Sequence, residues 1–360
     1  MKKYVVVLIV FILVCIGIFG MVKLASRNRS ASPDNAQNQS APSIQPNLFS
    51  FSGVLKSIEQ TVGSSSSQDG NQAQVPSPFK PLPAPPKGRA RHVVIVLEEN
   101  QGYQKVMGNT QEMPYLNSLA STYAYSKNYY ANTHPSIGNY FMLTAGDTIT
   151  NNSSHTDTVT DDNIVRHLVA AGKTWKEYSE GLPSIGFTGS SGESYDQDHT
   201  PLAFYSDVRD NPDQKKNLVP FSQFTKDLAD NKLPDYSFII PNSYNDADGC
   251  PPSGDCNLLA TADNWLKTNI DPVFKSADFN SPGGGILIIT FDEAAKSDKT
   301  HGGGQIPWIV AGADVKKGFV SNTFYQHENT LRFMAELLGL TSFPGKAASA
   351  ASMKEFLTGY

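Results

Sequence analysis

GGGILIITFDEAAKSDKTHGGGQIPWIVAG, residues 283–312, decides how the rest of the chain is read. Residues 286–291 form an almost continuous apolar run after three glycines, the pattern of a strand covered on both faces in a parallel α/β sheet. The run ends in two adjacent carboxylates, Asp292 and Glu293. A loop carrying His301 and three more glycines follows, then a second apolar run at 308–311. In parallel sheets ligands gather beyond the carboxyl ends of the strands, which is where Asp292 and Glu293 fall. Two ionised carboxylates at the end of a buried strand repel and are costly to desolvate. A bound cation would offset that cost. Taken alone the pair reads as a strand cap, but His301 and similar clusters at other strand ends favour a metal site.

Those other clusters come from working outward. HVVIVL at 92–97 reads as a strand ending in Glu98, Glu99 and Asn100. Residues 113–123 read as a helix with Pro114 in its first turn, and 124–131 as a strand. THPSIGNYFMLTAG (133–146) is a turn running into a helix that stops at Gly146. Asp161 or Asp162 caps a helix through 171, closed by Gly172, and 173–178 is a short strand. Residues 179–217 form a long polar stretch, read as an insertion over the site. A helix at 222–231, a strand at 236–240, a helix at 258–270 and a last helix at 328–338 complete the list. The strand at 236–240 leads into NSYNDAD (242–248), the third cluster. Strands alternating with helices predict an α/β protein with a mainly parallel central sheet.

The chain has 360 residues, 39% hydrophobic, with net charge -5. That balance is ordinary for a soluble domain and argues against a nucleic-acid binder. Lys2 and Lys3 precede an uncharged run at 4–22, followed by Lys23, Arg27 and Arg29. The run is long enough to span a bilayer, so a signal anchor is expected over residues 1–25, or a signal peptide cleaved near Ala25. Cys15 lacks the preceding small residue of a lipidation signal. Residues 26–91, rich in Ser, Asn, Gln and Pro, suit an extended linker, with a short amphipathic patch at 47–62. The folded domain is expected over 92–360. It would be extracytoplasmic, membrane-anchored or secreted after cleavage. In that setting Cys250 and Cys256, in CPPSGDC, are expected to form a local disulfide rather than half of a zinc site.

The clusters supply oxygen donors: Glu99, Asn100, Asp246, Asp248, Asp292 and Glu293, joined by the imidazole of His301. Such a set suits a divalent cation, Ca, Mg, Mn or, with the histidine, Zn or Fe. Ser136 opens a helix, where backbone N–H groups and the helix dipole favour an anion. A serine ligated there to a cation can attack phosphorus. Asn139, one turn further on, could donate to a phosphoryl oxygen.

HVVIVLEEN, THPSIGNYFMLTAG, DDNIVRHLVAAGKTWKEYSE, DYSFIIPNSYNDADGC, ILIITFDEA, HGGGQIPWIVAG and HENTLRFMAELLGL, in this order, resemble the bacterial phosphoesterase family of acid phosphatases and phospholipases C. More distantly the chain resembles the alkaline phosphatase superfamily. The resemblance covers about 92–340. It implies a three-layer α/β/α fold, with Glu99, Asn100, Asp292 and Glu293 as metal ligands and Ser136 with Asn139 as the nucleophile turn, passing through a phosphoserine. It also places His301 near the next strand, and Asp246 with Asn242 or Asp248 near a second cation. His199, in YDQDHTPLAFY, matches a segment that touches the substrate phosphate. Two departures stand out: Gly138 where proline is frequent, and Asp248 where histidine is common. The second leaves a one-metal site open.

The expected activity is hydrolysis of phosphate monoesters, acid phosphatase-like. The alternatives are a phospholipase C acting on lipid head-group diesters and an inactive surface binding module. No sulfatase-type C/S-x-P-x-R setting is present. Partners are therefore a phosphorylated small molecule or lipid head group, and the membrane through the N-terminal segment.

Overall fold

The computed structural model describes residues 85–190 and 194–360. The expected anchor, the linker up to residue 84, Cys15 and the 47–62 patch lie outside the described residues. The described residues belong to one compact unit.

Eight strands among the described residues form one sheet: β1 (His92–Glu98), β2 (Ala124–Ser126), β3 (Trp175–Ser179), β4 (Leu218–Pro220), β5 (Tyr236–Ile240), β6 (Gly285–Phe291), β7 (Trp308–Gly312) and β8 (Phe319–Ser321). Their order is β4-β3-β5-β1-β6-β7-β2-β8. Only β7 runs against its neighbours; β5, β1 and β6 are parallel at the centre. The longer helices are α1 (Pro114–Thr122), α2 (Ser136–Ala145), α3 (Ile164–Ala170), α4 (Ser222–Ala229), α5 (Leu258–Asn269) and α6 (His327–Leu337). Helix α1 packs on α5 and α2 on α6, giving the α/β/α arrangement expected.

Every residue of β6 is buried. Burying one Ile or Leu side chain contributes about 1.5–3 kcal/mol, so the apolar run fixes this strand in the middle of the sheet. The β1–β6 register pairs Glu98 with Phe291, and residues 99 and 292 therefore leave the sheet side by side. The loop after β5 joins them, because the Glu99 N–H donates to the Asp246 carbonyl at 2.7 Å. Three strand ends thus converge on one place, as a parallel sheet dictates.

Helix α2 is buried along all ten residues. Such a helix is apolar nearly all round, and its few polar residues, Ser136, Asn139 and Thr144, are the ones to be accounted for. Gly146 ends it at φ 72°, its N–H donating to the Met142 carbonyl, a left-handed cap that glycine adopts without a Cβ penalty.

Several local expectations are corrected. The second strand covers 124–126, not 124–131, because beyond it the chain makes only single bridges, Tyr129 with Tyr325 and Tyr130 with Gln305. Helix α3 is capped by Asn163, whose side chain accepts from the N–H groups of Val165 and Arg166, rather than by Asp161 or Asp162. The 179–217 stretch is not uniformly polar in its packing: Tyr195, Leu202, Phe204, Tyr205 and Val208 are buried. Strands β4 and β8 are too short to show in the apolar pattern.

Candidate active site

Glu99 sits at the mouth of β1, fully buried. Its Oε1 accepts from the Tyr140 hydroxyl at 2.5 Å, and its Oε2 from Ser136 Oγ at 3.1 Å and Asn100 Nδ2 at 2.9 Å. Asn100 has φ 55°, a left-handed conformation that asparagine tolerates better than most residues. Its N–H thereby donates to Asp292 Oδ1 at 2.9 Å, bridging the ends of β1 and β6.

Ser136 is the first residue of α2, 8% exposed, after an extended Pro135. The hydroxyl therefore stands at the positive end of a ten-residue helix. Asn139 holds the preceding turn: its Oδ1 accepts from the N–H groups of Asn132 and Thr133 at 3.0 and 3.2 Å. Its Nδ2 donates to the Thr133 carbonyl at 3.0 Å and Glu293 Oε2 at 3.2 Å. His134 adds a second tie, with Nδ1 2.9 Å from Glu293 Oε1 and Nε2 donating to the Asp298 carbonyl at 2.8 Å.

His199, from the 179–217 stretch, lies flat on Tyr140 with ring centroids 5.2 Å apart and planes 7° apart. Its Nδ1 is 3.8 Å from Glu99 Oε1. Asp246 is buried, with Oδ1 accepting from the Asp248 N–H at 3.0 Å. The side chain of Asp248 is exposed, and Asn242 Oδ1 caps its own turn by accepting from the Tyr244 N–H. The sulfurs of Cys250 and Cys256 are 2.07 Å apart in the loop that follows.

The charges are frustrated. Burial pushes the Glu99 carboxyl well above the usual range, with the charges of Asp292 and Asp246 adding to it and the Tyr140 hydroxyl opposing. Burial also raises Asp292, partly offset by the Asn100 N–H and by His199. Glu293 is pushed up to about 7 by burial and then Asp292, against His134. Asp246 is pushed up to about 7, chiefly by burial, with His199 working the other way. For His134 burial disfavours the charged ring, but the contacts to Glu293 and the Asp298 carbonyl outweigh it and raise its pKa.

Among the described residues no three His, Cys, Asp or Glu side chains are gathered into a finished cage. The buried oxygens Asp292 Oδ2 and Asp246 Oδ2 nevertheless have no hydrogen-bond partner. Orphaned carboxylate oxygens beside Glu99, Asn100 and Ser136 form a hard, oxygen-rich donor set that fits a divalent cation.

The structure thus brings Glu99, Asn100, Ser136, Asn139, His199, Asp246, Asp292 and Glu293 to one place. It does not bring His301, whose exposed ring packs edge-on against Tyr130 and Phe324. The reason lies in the glycines after it: a Cβ on Gly302 or Gly303 would strike the backbone of Asn132 or Thr133, so the loop meets the nucleophile turn with its backbone and turns the ring outward. Sequence reasoning missed Tyr140, although Ser136 and Tyr140 stand at the i, i+4 spacing that puts two side chains on one helix face.

The fold is of the alkaline phosphatase type. A protein of the alkaline phosphatase superfamily from Vibrio parahaemolyticus superposes with TM-score 0.54 over 76% of this chain and 73% of that one, at 15% identity. At that identity the likeness is one of fold. The chain belongs to the Phosphoesterase family, whose model matches residues 109–341. It is 36% identical to a phosphatidylinositol-3-phosphatase of Mycobacterium tuberculosis over 69% of this chain and 77% of that protein. It is 33% identical to an acid phosphatase of Aspergillus fumigatus over 67% of this chain but 55% of the fungal protein, so it spans little more than half of that relative. The chain is a hydrolase of phosphoric esters.

Proposed function

We propose that this chain is an exported, membrane-tethered, cation-dependent phosphomonoesterase that works through a phosphoserine on Ser136. The observation that carries the reading is the placement of Ser136 Oγ at the N-terminus of α2, hydrogen-bonded to Glu99 Oε2 at 3.1 Å, beside the unpartnered Asp292 Oδ2. Glu99, Asn100, Asp292 and Glu293 would hold one divalent cation. Bound there, it supplies positive charge that favours the serine alkoxide and the developing phosphoryl charge. Asp246, with its own orphaned oxygen, would serve a second cation, whereas Asp248 is exposed.

Glu99 Oε2 accepts the Ser136 hydrogen and keeps Oγ turned into the site. The N–H groups at the start of α2 face the phosphoryl oxygens, and His199 lies over the same mouth. Oγ attacks phosphorus, the bond to the leaving oxygen breaks with its electron pair, and water later cleaves the phosphoserine. Asn139 keeps the turn rigid in this state, with its amide on Thr133 and Glu293.

The relatives named acid phosphatase and phosphatidylinositol-3-phosphatase support a monoester substrate over a phospholipase C-type diester. Export and tethering rest on the basic-flanked apolar run at 4–22.

The test is hydrolysis of p-nitrophenyl phosphate by the purified chain, before and after chelation and re-addition of single divalent cations, beside Ser136→Ala. Loss of turnover on chelation, recovery with cation, and at least a thousandfold loss in Ser136→Ala support the reading. A folded Ser136→Ala variant with wild-type turnover refutes it.

A further inference from the structure

Helix α6 opens on His327, which is fully buried. Its Nε2 lies 2.7 Å from the main-chain oxygen of Asp292, and its Nδ1 3.1 Å from the Tyr129 hydroxyl. A carbonyl oxygen can only accept, so Nε2 carries a hydrogen and donates. No carboxylate touches the ring, and a ring uncharged in this setting presents a bare Nδ1 that accepts from the Tyr129 hydroxyl.

The chain continues behind it. The Tyr129 oxygen is 2.7 Å from Thr330 Oγ1, and the Trp308 indole N–H donates to that same Oγ1 at 2.8 Å. An indole N–H is only a donor. Every hydrogen therefore points one way, from Trp308 to Thr330 to Tyr129 to His327 and out to the Asp292 carbonyl. Tyr129, Trp308, His327 and Thr330 are all fully buried, where such a chain is rigid and a missing member is costly.

The same turn of α6 also holds the nucleophile side. The His327 N–H donates to Asn132 Oδ1 at 3.2 Å, and Asn132 Nδ2 donates to Glu328 Oε2 at 2.7 Å. Asn132 in turn donates its N–H to Asn139 in α2. One helical turn therefore grips both the residue after β6 and the loop that leads to Ser136.

We infer that His327, locked as the Nε2–H ring by Tyr129, Thr330 and Trp308, is a positioning residue that sets the Asp292 carboxylate against Ser136. It acts through the backbone of Asp292 and touches neither substrate nor cation. The inference rests on the reading of Asp292 as cation ligand and Ser136 as nucleophile. Groups that orient a ligand from behind typically account for about ten- to hundredfold in cation affinity or activity.

Three variants separate positioning from packing. His327→Leu keeps an apolar side chain but no donor, His327→Gln keeps an N–H that can reach the Asp292 carbonyl, and Tyr129→Phe keeps the ring but frees the histidine. The readouts are Mn²⁺ affinity by paramagnetic resonance, kcat and KM on p-nitrophenyl phosphate, thermal unfolding, and the ¹⁵N signals of the histidine rings in the wild type and Tyr129→Phe. The expected result is Mn²⁺ affinity and kcat about ten- to hundredfold lower in the Leu variant with KM little changed. Most of that loss is recovered in the Gln variant, and the wild type shows an Nε2–H ring that keeps this tautomer in Tyr129→Phe but with a shifted Nδ1 signal, because the donor to Nδ1 is gone.

If the Leu variant does not fold, Tyr129→Phe carries the same comparison with a milder loss. A folded Leu or Tyr129→Phe variant with unchanged Mn²⁺ affinity and kcat overturns the inference, as does an Nδ1–H ring in the wild type. A wild type that binds no Mn²⁺ removes the cation reading and the positioning claim together, while the ring signals still report whether the hydrogen-bond chain exists. A wild type that binds Mn²⁺ but hydrolyses no monoester leaves the affinity comparison to decide on positioning alone.

Discussion

Removing one oxygen atom, in Tyr140→Phe, tests how the site is assembled. The hydroxyl donates to Glu99 Oε1 at 2.5 Å in a place with no solvent exposure for either residue. A hydrogen bond to a charged partner contributes about 1.5–3 kcal/mol, and a buried carboxylate oxygen left without its donor bears most of that loss. The other oxygen, Oε2, keeps Ser136 and Asn100, so Glu99 stays in place but gains freedom to rotate. If that rotation is felt in the transition state, kcat falls about ten- to hundredfold at roughly 1.4 kcal/mol per decade. The flat stack of His199 on the ring, 5.2 Å between centroids, survives in phenylalanine, so KM should hold. Steady-state hydrolysis of p-nitrophenyl phosphate with added cation, alongside a thermal melt, makes the comparison. A folded variant whose kcat stays within about twofold of wild type would show that Glu99 is oriented by the cation and Ser136 alone, and the argument from Tyr140 would fail.

Two further outcomes are expected. In Gly138→Ala the new Cβ meets Thr133 Cγ2 at 2.6 Å and the amide of Asn151; Asn151 is exposed and can swing aside, but a shifted Thr133 disturbs the bonds that hold Asn139. We expect a stability change within about 1–3 kcal/mol and a severalfold drop in kcat, read by melting and turnover; unchanged kcat would show that the turn has slack. Glu177 on β3 is fully buried and pushed up to about 8, mainly by burial, against hydrogen bonds from the Leu202 N–H and Ser179. Its folded form therefore keeps a proton that the unfolded chain releases, and this contribution is fully present below the ordinary carboxyl value and lost as pH rises through about 8. Thermal melts from pH 4 to 9 should show the wild type losing on the order of a few kcal/mol relative to Glu177→Gln across that window; parallel curves for the two would refute it.

Much of the site was legible because its carriers are continuous in sequence. An apolar run that ends in carboxylates marks a strand end, and three such runs, at Glu99, Asp246 and Asp292, announced a convergence before any pairing was known. Ser136 was legible for the same reason, as the polar first residue of a largely apolar helix that stops at Gly146. Local chemistry misled where two neighbours offered the same group: Asn163 caps α3 although Asp161 and Asp162 precede it, since only its side chain reaches the free N–H groups.

What the sequence determined by itself was the α/β class, the strand-end carboxylates and the hydroxyl at the helix start, because apolar periodicity and end signals are properties of short segments. Only the tertiary structure decided which donors meet. It set Tyr140 on Glu99, His199 on Tyr140 and His327 on the Asp292 carbonyl, 41, 59 and 35 residues apart along the chain, and it turned His301 and Asp248 outward. Those choices depend on register between strands and on where a glycine lets two backbones touch, and neither is written in the spacing of residues along one segment.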